Sequence, residues 1–221
     1  LKPEFNFLMI GTITGQNPEN DRKNIFNSIK WFCERFKDRK DVGLVLKTNF
    51  GKGTRIDRQL TKNVLNEAIK YAKKGEYPKI TVIHGSLSQK EIAGLYRHPK
   101  IKCLMSATKG EGYGLPIIEA AASGLPVVAT GWSGHTEFMK KGKYLDVDYS
   151  LKEIHESRID NRIFVKGTRW ANVSDTSFKR KIKSLKNNYN FHLENAKKLQ
   201  VSIRSNFCKR SVLLKYNNFL N

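Results

Sequence analysis

Short apolar runs alternate with amphipathic stretches along nearly the whole chain, and this alternation restricts the fold more than any other feature. Phe5 to Ile10 reads as a strand stopped by Gly11. From Asp21 to Phe36 a helical period places Ile25, Ile29, Phe32 and Phe36 on one face. Gly43 to Lys47 is a second strand, followed by a loop from Asn49 to Thr54 and a helix through Leu60, Val64, Leu65 and Ala68. Lys79 to His84 is a third strand. Ser88 and Glu91 then form the Ser-x-x-Glu pattern of a capping box, opening a helix that reaches Tyr96. Lys102 to Ser106, Val127 to Ala129 and Tyr144 to Val147 complete a set of six strands. Strands separated by helical stretches of about ten residues or more form βαβ units and a parallel sheet. The expected fold is therefore α/β, a Rossmann-like doubly wound parallel sheet, whose ligands lie beyond the carboxyl ends of the strands. From Asp175 onward the chain is polar and helical, with Phe178, Ile182, Leu185, Leu193, Leu199 and Ile203 as the apolar positions. This is expected to form one or two closing helices, so that residues 1–175 are the ligand-binding domain and 176–221 a basic helical tail packed on it.

Composition excludes several classes. With 39% hydrophobic residues in 221 the chain can build a core, and no apolar run approaches the roughly 18–20 residues of a membrane span. No basic-then-apolar leader precedes the first strand. Cys33, Cys103 and Cys208 are too scattered for a disulfide framework or a cysteine zinc site, so a reduced, cytoplasmic setting is expected. The formal charge of +21 favours an anionic partner, and residues 179–221 hold eleven basic residues against Glu194 alone. A nucleic acid, an anionic membrane face and a phosphorylated substrate all satisfy that condition. A nucleic-acid-binding module is the alternative reading, although interleaved aromatic platforms and named nucleic-acid motifs are not evident.

The most informative stretch runs from Ser106 to Thr130: strand, Gly-rich turn, helix, turn, strand. Gly110, Gly112 and Gly114 leave room for a ligand against the backbone, and Pro116 suits a first helical turn. The free amides of Tyr113, Gly114 and Leu115 at a helix N-terminus make an anion site. Glu111 and Glu119, with seven residues between them, flank it. A carboxylate beside a phosphate site implies a second kind of group to bind, and vicinal hydroxyls of a sugar are what a carboxylate grips in dinucleotide folds. A nucleotide sugar accounts for two acids and an anion nest together. Asp146 and Asp148, a single Asp-x-Asp pair, have metal-ligand chemistry but no third aspartate continuing the pattern and no His cluster beside them.

Glu111-Gly-Tyr-Gly-Leu-Pro-Ile-Ile-Glu119-Ala, followed by Gly124-Leu-Pro-Val-Val-Ala-Thr130, closely resembles the donor-binding domain of family 4 retaining glycosyltransferases, of GT-B fold. Val82 to Ser88 with Glu91, Leu95 and Tyr96, Gly11 with Arg22-Lys23-Asn24, Leu44 to Thr48, and Ser133-Gly134 with Glu137 extend the resemblance over roughly residues 5–140. It implies one lobe of a two-lobed enzyme, with a missing N-terminal lobe holding a glycan, lipid or protein acceptor. It also implies a nucleoside-diphosphate sugar, UDP- or GDP-linked, as donor, and no metal or other cofactor. Catalytic roles fall on Glu111, toward hydroxyls of the transferred sugar, and on Lys23, toward the leaving diphosphate. Donor binding falls on Glu119 for the ribose, on the Gly112, Tyr113, Gly114 and Leu115 amides for the distal phosphate, and on Gly11, Lys47, His84, Gly85 and Lys109 at the strand ends. Where the family often has Arg after the first glycine this chain has Thr12, so that Arg22 or Lys47 is expected to substitute. His135 is a minor candidate, and Trp132 and Trp170 are expected in the core or at a lobe interface. A domain that keeps the fold without catalysis would have no need of both Glu111 and Glu119.

Overall fold

The computed structural model describes residues 1–15, 17–49, 54–70 and 75–220. Six strands form one parallel sheet: β1 (Phe5–Ile10), β2 (Val42–Thr48), β3 (Lys79–His84), β4 (Ile101–Ser106), β5 (Val127–Thr130) and β6 (Leu145–Val147), in the order β3-β2-β1-β4-β5-β6. The helices α1 (Ile25–Arg35), α2 (Arg55–Lys70), α3 (Gln89–Arg97), α4 (Leu115–Ala122) and α5 (Thr136–Met139) lie between them. This is the expected Rossmann-like sheet, each strand within two residues of its predicted limits. Residues 50–53 of the predicted loop after β2 lie outside the described residues.

Alternation along β1 shows how the sheet divides two cores. Phe7 points to the side of α1, where it meets Phe32 and Phe36 at ring distances of 5.6 and 5.4 Å. Leu8 points to the other side, among Tyr96, Ile117, Ala120 and Leu199. Both side chains are wholly buried, as successive residues of a strand covered on both faces must be.

Three features differ from the sequence expectation. α1 begins at Ile25 and not at Asp21, because Asn24 adopts a left-handed conformation (φ 56°) and the buried Asp21 carboxylate accepts from the amides of Lys23 and Ile25 instead of entering the helix. An antiparallel hairpin, β7 (Tyr149–Glu153) and β8 (Arg169–Val173), follows β6 and has no counterpart in the reading above. The tail comprises three helices, α6 (Asp175–Asn187), α7 (Tyr189–Asn206) and α8 (Lys209–Leu220). The first two bury Phe178, Ile182 and Leu185, and Ala196, Leu199 and Ile203, against the domain. α8 buries none of its side chains, so packing of the tail ends with α7. No described helix is long and apolar enough to cross a membrane.

Candidate functional site

The strand order reverses between β1 and β4, which places a crevice beyond their carboxyl ends. The loops leaving these two strands are joined across it. Lys109 N donates to the Arg22 carbonyl at 2.8 Å, and Asn24 Nδ2 to the Ala107 carbonyl at 2.9 Å. Asp21 holds the first loop by also accepting from Thr14 Oγ1 at 2.9 Å. The turn so formed turns Arg22 and Lys23 toward the second loop.

There they meet Glu111. Lys23 Nζ lies 2.6 and 2.8 Å from its two carboxylate oxygens, and Arg22 Nη1 lies 3.7 Å from Oε2 while donating to the Gly110 carbonyl. The Glu111 side chain is 9% exposed, so the pair is shielded from bulk water. Its backbone is fixed as firmly: the amide donates to Ser133 Oγ at 2.8 Å, and the carbonyl accepts from Ser133 Oγ and Gly134 N. A Cβ on Gly134 would lie 1.9 Å from the Gly112 carbonyl oxygen, which explains the glycine there. Gly114, at φ 91°, is the N-cap of α4 and holds the left-handed conformation that glycine tolerates.

The amides of Gly112, Tyr113, Gly114 and Leu115 have no protein acceptor among the described residues. A Cβ on Gly112 would meet open space. Four free donors at the positive end of a helix form an anion cradle. Glu119, one turn into α4, accepts from the Tyr96 hydroxyl at 2.9 Å. Burial and the adjacent carboxylate push the Tyr96 pKa up, so the phenol remains a donor. Glu119 lines a cavity of about 680 Å³ with the apolar Ile10, Leu87 and Ile92 and the polar Gln89, Arg97 and Arg204. A wall of mixed apolar and polar side chains beside one oriented carboxylate suits a nucleoside.

The remaining predicted residues divide. Gly11 N donates to the Lys47 carbonyl at 3.1 Å, and a Cβ there would lie 3.7 Å from Lys23, so Gly11 sits between the end of β2 and the loop that carries Lys23. Lys47 is 9% exposed, burial lowers its pKa, and no carboxylate pairs with it among the described residues. A buried ammonium with no carboxylate beside it among the described residues is poised for an anion. Gly85 (φ 102°) turns the chain after β3, but the His84 side chain faces α2, lining a different cavity with Thr61 and Val82. Lys109 is engaged elsewhere: its ammonium donates to the carbonyls of Pro18 and Glu19 at 2.6 and 3.0 Å and lies 5.9 Å from the Trp170 ring centroid. It braces the loop that carries Arg22 and Lys23. Trp170 is buried, as expected, and Trp132 packs partly buried against the core. His135 is wholly buried, its Nε2 2.7 Å from the Thr130 carbonyl and its Nδ1 unpartnered; burial lowers its pKa.

Sequence reasoning missed Tyr96 as the partner of Glu119, Ser133 as the clamp on Glu111, and the hairpin that buttresses Lys109. A tyrosine on the apolar face of α3 was the one available signal, since a buried hydroxyl needs a partner. The basic tail is also less free than its composition indicates. Lys179 pairs with Glu34 and Asp175, Arg180 with Asp148, and Lys181 with Asp146. The same pairs engage the two aspartates considered for a metal.

Fold and site together define an α/β Rossmann-like domain with a crevice at the sheet's switch point. The model of the family described as "Glycosyl transferases group 1" matches residues 19–199, and the chain belongs to that family. A probable sucrose-phosphate synthase of Thermosipho melanesiensis is 34% identical over 163 residues, which cover 72% of this chain and 34% of that protein. The chain thus spans about a third of the length of this relative. The C-terminal domain of a group 1 glycosyltransferase family protein, LpcC, from Francisella tularensis superposes with a TM-score of 0.61 at 18% identity, covering 94% of this chain and 88% of that one. The pneumococcal O-GlcNAc transferase GtfA, solved in complex with UDP and GlcNAc, superposes with a TM-score of 0.58 at 16% identity, covering 99% of this chain and 35% of that one. These structural likenesses establish a shared GT-B lobe fold.

Proposed function

We propose that this chain is the donor-binding lobe of a retaining glycosyltransferase of the family 4 type, using a nucleoside-diphosphate hexose. The observation that carries the reading is the juxtaposition at one switch point of the α4 amide cradle, the Arg22-Lys23 cations and two carboxylates at the ends of the cradle. Glu119, oriented by Tyr96, accepts from the ribose hydroxyls, with the base in the adjoining cavity. The Gly112 to Leu115 amides take the distal phosphate, and Lys23 and Lys47 supply positive charge around it. Glu111 accepts from hydroxyls of the transferred sugar. As the glycosidic bond breaks, negative charge grows on the leaving diphosphate, and preorganised donors and cations stabilise it without reorganisation. A GtfA complex with UDP supports a uridine nucleotide as the first donor to test.

Acceptor binding and any group that orients the acceptor belong to a partner lobe, so this chain alone binds donor and transfers little sugar. We place the whole enzyme in the cytoplasm, where peripheral contact with the inner face of a membrane would use the unpaired basic residues of the tail. Calorimetric titration with UDP, GDP, ADP and UDP-glucose at fixed ionic strength tests the reading. Saturable binding of one nucleotide series is expected. No saturable binding of any, with tight salt-sensitive binding of RNA or DNA, would overturn it in favour of a nucleic-acid module.

A further inference from the structure

Lys23 serves two negative partners that cannot both have it. Its ammonium sits between the two oxygens of Glu111, 2.6 and 2.8 Å away, and Arg22 adds a second cation at 3.7 Å. Glu111 is 9% exposed and its backbone is held by Ser133 and Gly134, so the carboxylate has little freedom to withdraw into water. A diphosphate entering the α4 cradle must draw Lys23 from this pair. It leaves a nearly buried carboxylate facing a polyanion, an arrangement that is strongly unfavourable unless something compensates the carboxylate.

We infer that Glu111 is a specificity determinant that discriminates the intact sugar nucleotide from the spent nucleoside diphosphate, through competition for Lys23. The inference rests on the donor-lobe reading above. When the nucleotide carries its sugar, sugar hydroxyls donate to Glu111 and replace the hydrogen bonds that Lys23 withdrew. When the sugar has gone, the carboxylate keeps only the more distant Arg22, 3.7 Å away, recaptures Lys23 and expels the diphosphate. One ion pair thereby neutralises the empty site, accepts the donor and weakens the hold on the product.

The consequence runs against ordinary expectation for a binding residue: removing its charge tightens a ligand. Calorimetry with UDP, inorganic pyrophosphate and UDP-glucose is made on the wild-type chain, Glu111→Gln, Lys23→Met and the double variant, each first checked for a native circular-dichroism spectrum. Glu111→Gln is expected to bind UDP and pyrophosphate at least tenfold more tightly than wild type, and UDP-glucose with no comparable gain. In the Lys23→Met background the same change should produce less than a twofold gain, because the contested cation is gone. A structural role for Glu111 would not generate a gain that depends on Lys23. Should Glu111→Gln not fold, Glu111→Asp draws the carboxylate back by one methylene and is expected to tighten UDP two- to threefold. Unchanged or weaker UDP binding in a folded Glu111 variant, or a gain that persists without Lys23, overturns the inference while leaving the donor-lobe reading intact. Failure of wild type and variants alike to bind UDP or pyrophosphate removes the donor-lobe reading and the inference with it.

Discussion

Replacing Gly134 by alanine tests how the anion cradle is built. A Cβ at this position would lie 1.9 Å from the Gly112 carbonyl oxygen, 2.8 Å from its carbon and 2.9 Å from the Glu111 carbonyl oxygen. Real Cβ contacts essentially never fall below 3.0 Å, so the two loops must separate by about 1.1 Å. All three obstructing atoms are backbone, and Gly134 N is itself bonded to the Glu111 carbonyl at 3.1 Å, so no side chain can simply swing aside. Overpacking of this kind costs about 1–3 kcal/mol of stability. A displacement near 1 Å in a preorganised site costs on the order of 100-fold in function. Gly134→Ala should therefore lower the melting temperature and weaken UDP binding about 100-fold by calorimetry. Gly112→Ala is the control, since its Cβ meets open space. It should leave the melting temperature almost unchanged and weaken only ligand binding. Wild-type UDP affinity in Gly134→Ala would refute the cradle as described.

Three further outcomes follow from particular contacts. Tyr96→Phe removes the hydrogen bond that orients Glu119, a loss of about 1 kcal/mol that calorimetry should read as roughly five- to tenfold weaker UDP binding with little change in fold. Lys109→Met deletes the two donations to the Pro18 and Glu19 carbonyls, and hydrogen–deuterium exchange should show faster exchange in residues 17–23. His135 has its pKa lowered by burial, so the unfolded chain binds the proton more readily than the folded one. Its contribution to stability is complete above the ordinary imidazole value of about 6.5 and is lost as pH falls toward the lower folded value. Denaturant melts between pH 5 and 8 should show that slope reduced in a folded His135→Gln variant.

The sheet was legible because strands covered on both faces read as short apolar runs, and because capping residues such as Ser88 and Glu91 carry their own signal; the Ser88 capping box is present. Glu111, the α4 amides and Glu119 were legible from glycines and acids spaced within one strand-turn-helix unit. What was not legible depends on tertiary partners. Asp21 has ordinary helix-start chemistry, and only its burial against Thr14 shows that it ends a loop instead. Lys109 stands beside the phosphate turn in sequence, but the carbonyls of Pro18 and Glu19 hold its ammonium. The charge of the tail is partly cancelled by Glu34, Asp146 and Asp148, which lie 32 to 145 positions earlier in the chain. The β7–β8 hairpin has one exposed strand and a long connection between its strands, so its apolar pattern is weak.

A crystal structure of the chain with UDP tests the central claim most directly. The account predicts the diphosphate on the Gly112 to Leu115 amides, with Lys23 drawn from Glu111 toward it, and the ribose hydroxyls on Glu119. UDP bound away from the β1–β4 crevice, or a diphosphate in the crevice with the Lys23–Glu111 pair undisturbed, would contradict it.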